Sequence, residues 1–422
     1  MEDVQQQLAA LRRRIASIDR KYGRKSARSA ANPAVPIVPR HSGRFVEELL
    51  AGEVVRTAHG EHFETERFWE PHRRHGSLGV GDLALLPDDL LSALSEGAIA
   101  AAPPKSWAFL DTETTGLGGA YAFLIGIGSI DSGGFRLRQF FLRDESEEAS
   151  ALARVAEHLS RFDVVITYNG KAYDQPLLEN RFRAVRISCG PFRRLRHLDL
   201  LFGARRLWKL RLSSCRLVDL EYRILGVERE GDLPGAMIPY YYFDFLRTRQ
   251  AVRLVPIFHH NAMDILSLAC LTAVVSAAFR SPEEAVFRHG ADLIGLARWL
   301  LQAGRPGDAV SMFRRAVDLG LPDELLFRTL WDIAALEKRL GRTDGARVAF
   351  EDLAGSRNPY RARALEALAI HHQRQRDFPK ALEMVRLAVA WSDNAAHLAR
   401  LAHREQKLQS RLAKVLPKTM RL

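Results

Sequence analysis

The sequence predicts an α/β domain, a mixed sheet flanked by helices, followed by an all-α helical-repeat domain. Three observations carry this. From about Ser106, three apolar or alternating runs, WAFLDTETT, AFLIGIGSID and FRLRQFFL, are separated only by short turns. An amphipathic segment, SEEASALARVAEHLSRF, then leads into a short apolar run, DVVITYN. Strand-turn-strand followed by helix and strand describes a sheet with both antiparallel and parallel neighbours, covered by helices. Beyond residue 290 only helical periodicity remains.

Residues 1–45 come first. Val4, Leu8, Leu11, Ile15 and Ile18 recur at helical steps, and the following stretch rich in Arg, Ser, Ala and Pro reads as a basic flexible linker, either a solvated tether or an arm that touches phosphates. Residues 46–104 are expected to form a small extension that packs on the α/β domain. Its segment GEVVRTAHGEHFETERFW alternates like short strands, and its histidines His59, His62, His72 and His75 lack regular ligand spacing, which favours structural or surface roles. Residues 105–285 form the α/β domain. In residues 286–422, LARWLLQAGRPGDAVSMFRRAV, IAALEKRLGRTDGARVAFEDLA and LAIHHQRQRDFPKALEMVRLAV align on Ala309, Ala346 and Ala381. That period is close to the tetratricopeptide unit, whose helix pairs bury their apolar faces by stacking on one another.

Length and composition narrow the function classes. A chain of 422 residues is too long for one ordinary core. A net charge of +12 favours polyanionic partners, nucleic acid before an acidic membrane surface. Cys189, Cys215 and Cys270 are widely spaced, which argues against a disulfide framework or a zinc site and for a reducing cytoplasm. No uninterrupted apolar run reaches membrane length, and the N-terminus lacks the apolar core of a signal peptide, so a cytoplasmic protein without a membrane partner is expected. There is no GxSxG element, P-loop or Rossmann fingerprint.

The chemistry sits in four acidic residues: Asp111 and Glu113 in DTETT, Asp174 in YNGKAYDQPLL, and Asp264 in HHNAMDILSL. Each falls in or beside an apolar run. A buried carboxylate is costly unless it pairs, neutralises or binds a metal. A shared divalent cation compensates the whole set, and hard ions such as Mg²⁺ or Mn²⁺ prefer such oxygen ligands. On a strand, Asp111 and Glu113 project from one face, as a pair of ions would require, while Thr112 points the other way. Taken alone, Asp174 reads equally as a helix N-cap. His260 lies four residues before Asp264 and His259 five; either is a candidate general base, and a core hydrogen bond accounts for the other. Asn169, Tyr173 and the run Tyr240, Tyr241 and Tyr242 are candidates for holding a terminal nucleotide, or simply pack as aromatics along a loop.

The ordered set DxE, Asn-x-x-x-Tyr-Asp and His-x-x-x-Asp resembles the DEDD 3′–5′ exonucleases of the ribonuclease H-like superfamily. The HN-x-x-D-x-x-SL pattern from His260 to Leu268, with LGVEREGDLPGAMIPYYYFDFLR before it, is closer still to the YprB-like ribonuclease H-like domain proteins. The resemblance covers roughly residues 105–280. It implies a ribonuclease H-like sheet and two Mg²⁺ or Mn²⁺ ions held by Asp111, Glu113, Asp174 and Asp264. It also implies catalysis by those four with His260, or with His259 by the spacing of the histidine-type branch, and substrate contacts from Thr112, Asn169, Tyr173, His259 and Tyr241. The implied activity is two-metal hydrolysis of phosphodiester bonds in single-stranded RNA or DNA. The alternative is a catalytically weak nucleic-acid binder or scaffold whose helical repeats recruit a protein partner.

Overall fold

The strand-forming runs around Asp111 gather into one seven-stranded sheet. The computed structural model describes residues 45–415 except 96, 117–120, 132 and 230, so the expected N-terminal helix and basic linker lie outside the described residues. The sheet contains β1 (Gly52–Thr57), β2 (Gly60–Trp69), β5 (Trp107–Thr114), β6 (Ala122–Asp131), β7 (Gly134–Phe141), β8 (Val164–Thr167) and β9 (Arg196–Asp199), in the order β1-β2-β7-β6-β5-β8-β9. A separate ribbon pairs β3 (Arg74–His75) with β4 (Leu78–Gly79). Five strands from β1 to β5 run antiparallel to their neighbours, while β8 and β9 join β5 in parallel. The expected mixed sheet is therefore present, and residues 46–104 extend it by two strands.

Alternation along β5 explains the layers. Trp107 and Phe109 enter the apolar core shared with the helix Val255–Arg280, whereas Ala108 and Leu110 enter the core shared with α1 (Glu148–Leu159) and α2 (Asp174–Ala184). After β9 come α3 (Leu200–Trp208), α4 (Ile238–Thr248) and the helix just named, α5 (Val255–Arg280). The apolar stretch of the helix α5 is interrupted by Asp264, Ser267, Thr272 and Ser276, as expected of a chain with no uninterrupted membrane-length run. The helix α5 is long and apolar enough to cross a membrane by length and composition, but most of it is buried as the central core helix. Burial accounts for that hydropathy.

Three helical hairpins and a last helix follow: α6 (Gly290–Gln302) with α7 (Pro306–Asp318), α8 (Asp323–Arg339) with α9 (Thr343–Gly355), α10 (Arg361–Arg374) with α11 (Phe378–Ala390), then α12 (Ala395–Val415). Ala309, Ala346 and Ala381 each sit buried in the second helix of a hairpin, where a small side chain permits close packing. The hydrophobic core continues across residue 286. A Cβ on Gly295 would lie 2.5 Å from the carbonyl oxygens of Arg206 and Leu207, so α6 rests almost directly on the backbone of α3. Trp299 of α6 also lies against Gly203.

Candidate active site

The site forms where β5 ends. One neighbour of β5 is antiparallel (β6) and the other parallel (β8), and β8 pairs only with Trp107–Phe109, so the carboxyl half of β5 is left free on that side, where open α/β sheets usually place ligands. Asp111 and Glu113 continue the face of Phe109 toward α5. Thr112 continues the opposite face toward α2, where its hydroxyl donates to Asp174 Oδ1 at 2.5 Å. Thr112, expected as a substrate contact, spends its hydroxyl on a hydrogen bond to an acidic residue. Asp174 occupies the first turn of α2, and the N-cap position belongs to Tyr173, whose side chain is exposed.

From the other side, α5 delivers Asp264, His260 and Asn261. One oxygen each of Glu113 and Asp264 and one nitrogen of His260 lie within 4.8 Å of one another, a set able to hold a metal ion. Asn261, fully buried, donates through Nδ2 to Asp111 Oδ2 at 2.9 Å. Its Oδ1 accepts from Gln139 Nε2 at 2.9 Å, and Gln139 Oε1 accepts from Thr65 at 3.1 Å. A buried relay therefore ties Asp111 to β7 and to β2 of the N-terminal extension. The close approach of α5 requires glycine on β6. Gly126 pairs with Asp111, and a Cβ there would lie 2.2 Å from Asn261 Oδ1.

Burial and mutual repulsion dominate the electrostatics. The Asp111 carboxyl is pushed well above the usual carboxylate range, by burial first and then by the charges of Asp264, Glu113 and Asp174. Glu113 is pushed up to about 8, mainly by burial, with His260 opposing and Asp264 and Asp174 reinforcing. Asp174 rises to about 6 through burial, restrained by its bond from Thr112. Carboxyls that resist ionisation because they are crowded and dry are the donor set a hard divalent cation would relieve. Glu113 and Asp264, with His260, lie close enough together to share such an ion, and the charges of Glu113, Asp264 and Asp174 all act on Asp111.

The two histidines separate clearly. The Nδ1 of His260 lies 2.8 Å from Asp232 Oδ1, and its Nε2 lies 3.5 Å from Asp264 Oδ2. Burial alone would lower the His260 pKa, but Asp264, Glu113 and Asp232 outweigh it and raise it. His259 points away, exposed, with its Nδ1 3.5 Å from Arg67 Nη1. The structure therefore brings His260 into the cluster and leaves His259 outside it. Among the tyrosines, Tyr242 is core, stacked on Phe123 at 4.0 Å with its hydroxyl donating to Leu142 O. Tyr241 is half-buried beside Arg253, and Tyr240 is more exposed. Asn169 adopts a left-handed backbone (φ 67°) at the end of β8, with its amide donating to Asp199 at 2.8 Å. Its predicted place beside the site is thus a tight turn leading to Asp174.

Sequence reasoning missed the cation already in the cluster. Arg229, nearly buried, donates through Nη2 to both Asp264 and Glu221, and through Nη1 to Asp232 at 3.1 Å. Burial disfavours its charge, yet Asp264 and Glu221 hold it firmly protonated. The only signal was the EREGDLPG stretch, in which Arg229 and Asp232 stand three apart. Of the four early histidines, His62 bonds Ser150 and Glu64, and His75 lies 2.6 Å from Ser267 Oγ, both buried and structural.

Comparison with known proteins agrees with this geometry. A family profile of the RNase_H superfamily matches residues 108–276, which run from β5 through most of α5 and contain all four carboxylates. The chain is also 31% identical over 315 residues to the uncharacterized protein YprB of Bacillus subtilis (strain 168), an alignment covering 73% of each chain.

Proposed function

Because the chain belongs to the family of YprB and carries an RNase H superfamily domain, which is of the nuclease type, we propose that it is a divalent-metal-dependent 3′–5′ exonuclease acting on single-stranded RNA or DNA. The observation that carries this reading is the convergence of Asp111, Glu113 and Asp264 with His260 at the end of β5. These carboxylates, with Asp174, would hold two Mg²⁺ or Mn²⁺ ions, which when bound supply Lewis acidity toward a phosphodiester and a water of lowered pKa. Asn261 aims the Asp111 carboxylate, and Thr112 aims that of Asp174. Asp232 fixes the His260 ring through Nδ1 and leaves Nε2 on the acidic side, placed to accept a proton from an attacking water. The exposed ring of Tyr173, beside Asp174, offers a stacking surface for a terminal base. The net charge of +12 suits a polyanionic substrate.

One observation favours a second reading, a catalytically weak nucleic-acid binder or scaffold whose C-terminal helices recruit a protein. Arg229 already satisfies Asp264 without a metal. Degradation of 3′- and 5′-labelled single strands of RNA and DNA with Mn²⁺ or Mg²⁺ separates the two. Stepwise loss from the 3′ end, abolished by EDTA and by Asp111→Asn, is the expected result. Intact substrate with retained binding by both proteins would overturn the exonuclease reading in favour of the second.

A further inference from the structure

One cavity lies away from the acidic cluster. It is a cleft of about 890 Å³ bordered by the last turns of α5, the end of α3, the start of α6 and the turn Glu221–Leu225. None of Asp111, Glu113, Asp174 or Asp264 lines it. Its floor is apolar, with Trp208, Leu225, Val274 and Phe287 among the walls. Its rim carries four arginines and His289 against Glu284 and Asp292. Arg211 is neutralised by Asp292 at 2.8 Å, and Arg280 by the exposed Asp89. Arg223 and Arg288 are exposed and make no ion pair or hydrogen bond among the described residues. Beside Arg223, the Tyr222 ring is 59% exposed and also faces the cleft.

These features fit one ligand chemistry. A volume of this size accommodates a small organic molecule. The guanidinium of Arg288, together with that of Arg223, whose charge Asp219 offsets only in part, matches a phosphate dianion by hydrogen bonding. An exposed tyrosine above an apolar floor suits the face of a flat heterocycle. The wall is shared with the nuclease site, because Glu221 at the start of the Tyr222 turn reaches inward to Arg229, which in turn holds Asp264.

We propose that this cleft is a second nucleotide-binding site that takes one phosphate-bearing nucleotide unit, its base against Tyr222 and its phosphate on Arg223 and Arg288. The site rests on the nuclease reading only for the source of that unit, a free mononucleotide or a nucleotide of a bound strand. Isothermal titration of the full chain in EDTA isolates the cleft from any metal-dependent binding. The probes are adenosine 5′-monophosphate, a 5′-phosphorylated adenine trinucleotide, inorganic phosphate and polyglutamate. The proteins are wild type, the double variant Arg223→Ala with Arg288→Ala, Tyr222→Ala, and Asp111→Asn as a control for the acidic site. The expected result is nucleotide binding by wild type and Asp111→Asn, weakened roughly tenfold or more by the double variant and also by Tyr222→Ala. Equal affinity for mononucleotide and trinucleotide assigns a free nucleotide, and a tighter trinucleotide assigns the strand. No nucleotide binding by wild type, full binding by the double variant, or phosphate or polyglutamate binding as tightly as nucleotide overturns the proposal. Because the readout uses no catalysis, an inactive enzyme that still binds nucleotide in EDTA would sink the exonuclease reading and leave this site standing.

Discussion

Replacing Gly126 by alanine tests the link between packing and chemistry most directly. Gly126 lies across from Asp111 on β6, under the turn of α5 that carries Asn261. A Cβ there would approach Asn261 Oδ1 to 2.2 Å and Ile265 Cδ1 to 2.3 Å, far inside ordinary contact. Two responses exist. Lifting α5 off the sheet is overpacking, which costs about 1–3 kcal/mol. Rotating Asn261 breaks its bonds to Asp111 and Gln139 and leaves buried amide groups unpaired, again about 1–3 kcal/mol. The cheaper route sets the loss, and both routes displace the group that aims Asp111. Gly128→Ala is the matched control. Its Cβ would strike Phe135 at 2.4 Å and Ile265 at 2.5 Å but not Asn261. Urea unfolding measures stability, and calorimetric titration with Mn²⁺ measures the site. Both variants should lose about 1–3 kcal/mol, and Gly126→Ala should weaken Mn²⁺ binding the more, because it alone also displaces Asn261. Wild-type stability in Gly126→Ala, or equal loss of Mn²⁺ affinity in Gly128→Ala, would refute the reasoning.

Three further outcomes are expected. Glu113 sits at about 8 without a metal, so Mn²⁺ affinity should rise from pH 6 to 8 with proton release in calorimetry, and a flat profile would count against Glu113 as a ligand. His75 is buried and held down to about 4 by burial and then by Arg229, so it stays neutral in the fold while the unfolded chain takes up a proton below 6.5. The stability it contributes is complete above pH 6.5 and falls as pH drops toward 4, by about 2 kcal/mol at pH 5, and His75→Gln should flatten that part of the urea-midpoint profile. Arg229→Met strips the cation from Glu221 and Asp264, so metal-free protein should lose about 3–5 kcal/mol, with part of the loss restored by Mn²⁺. Equal loss with and without the ion would place Arg229 outside the metal site.

Local pattern determined much of this protein without any structure. The runs WAFLDTETT, AFLIGIGSID and FRLRQFFL became β5, β6 and β7, and the alanine-marked repeats became stacked hairpins, because side-chain period and turn chemistry are properties of neighbouring residues. The four carboxylates stood out for the same reason, as charges in apolar surroundings. Contacts between distant segments were beyond that reach. Arg229 meets Asp264 across 35 positions, Thr65 reaches Asp111 only through Gln139 and Asn261, and the choice of His260 over His259 depended on which side of α5 faces Asp232. The apolar length of α5 likewise suits a membrane or a core equally well, and only the sheet packed against it decides for the core. Sequence period fixes which face a side chain occupies, but what that face meets depends on where the rest of the chain folds, and that is decided by the energy of the whole packed interior.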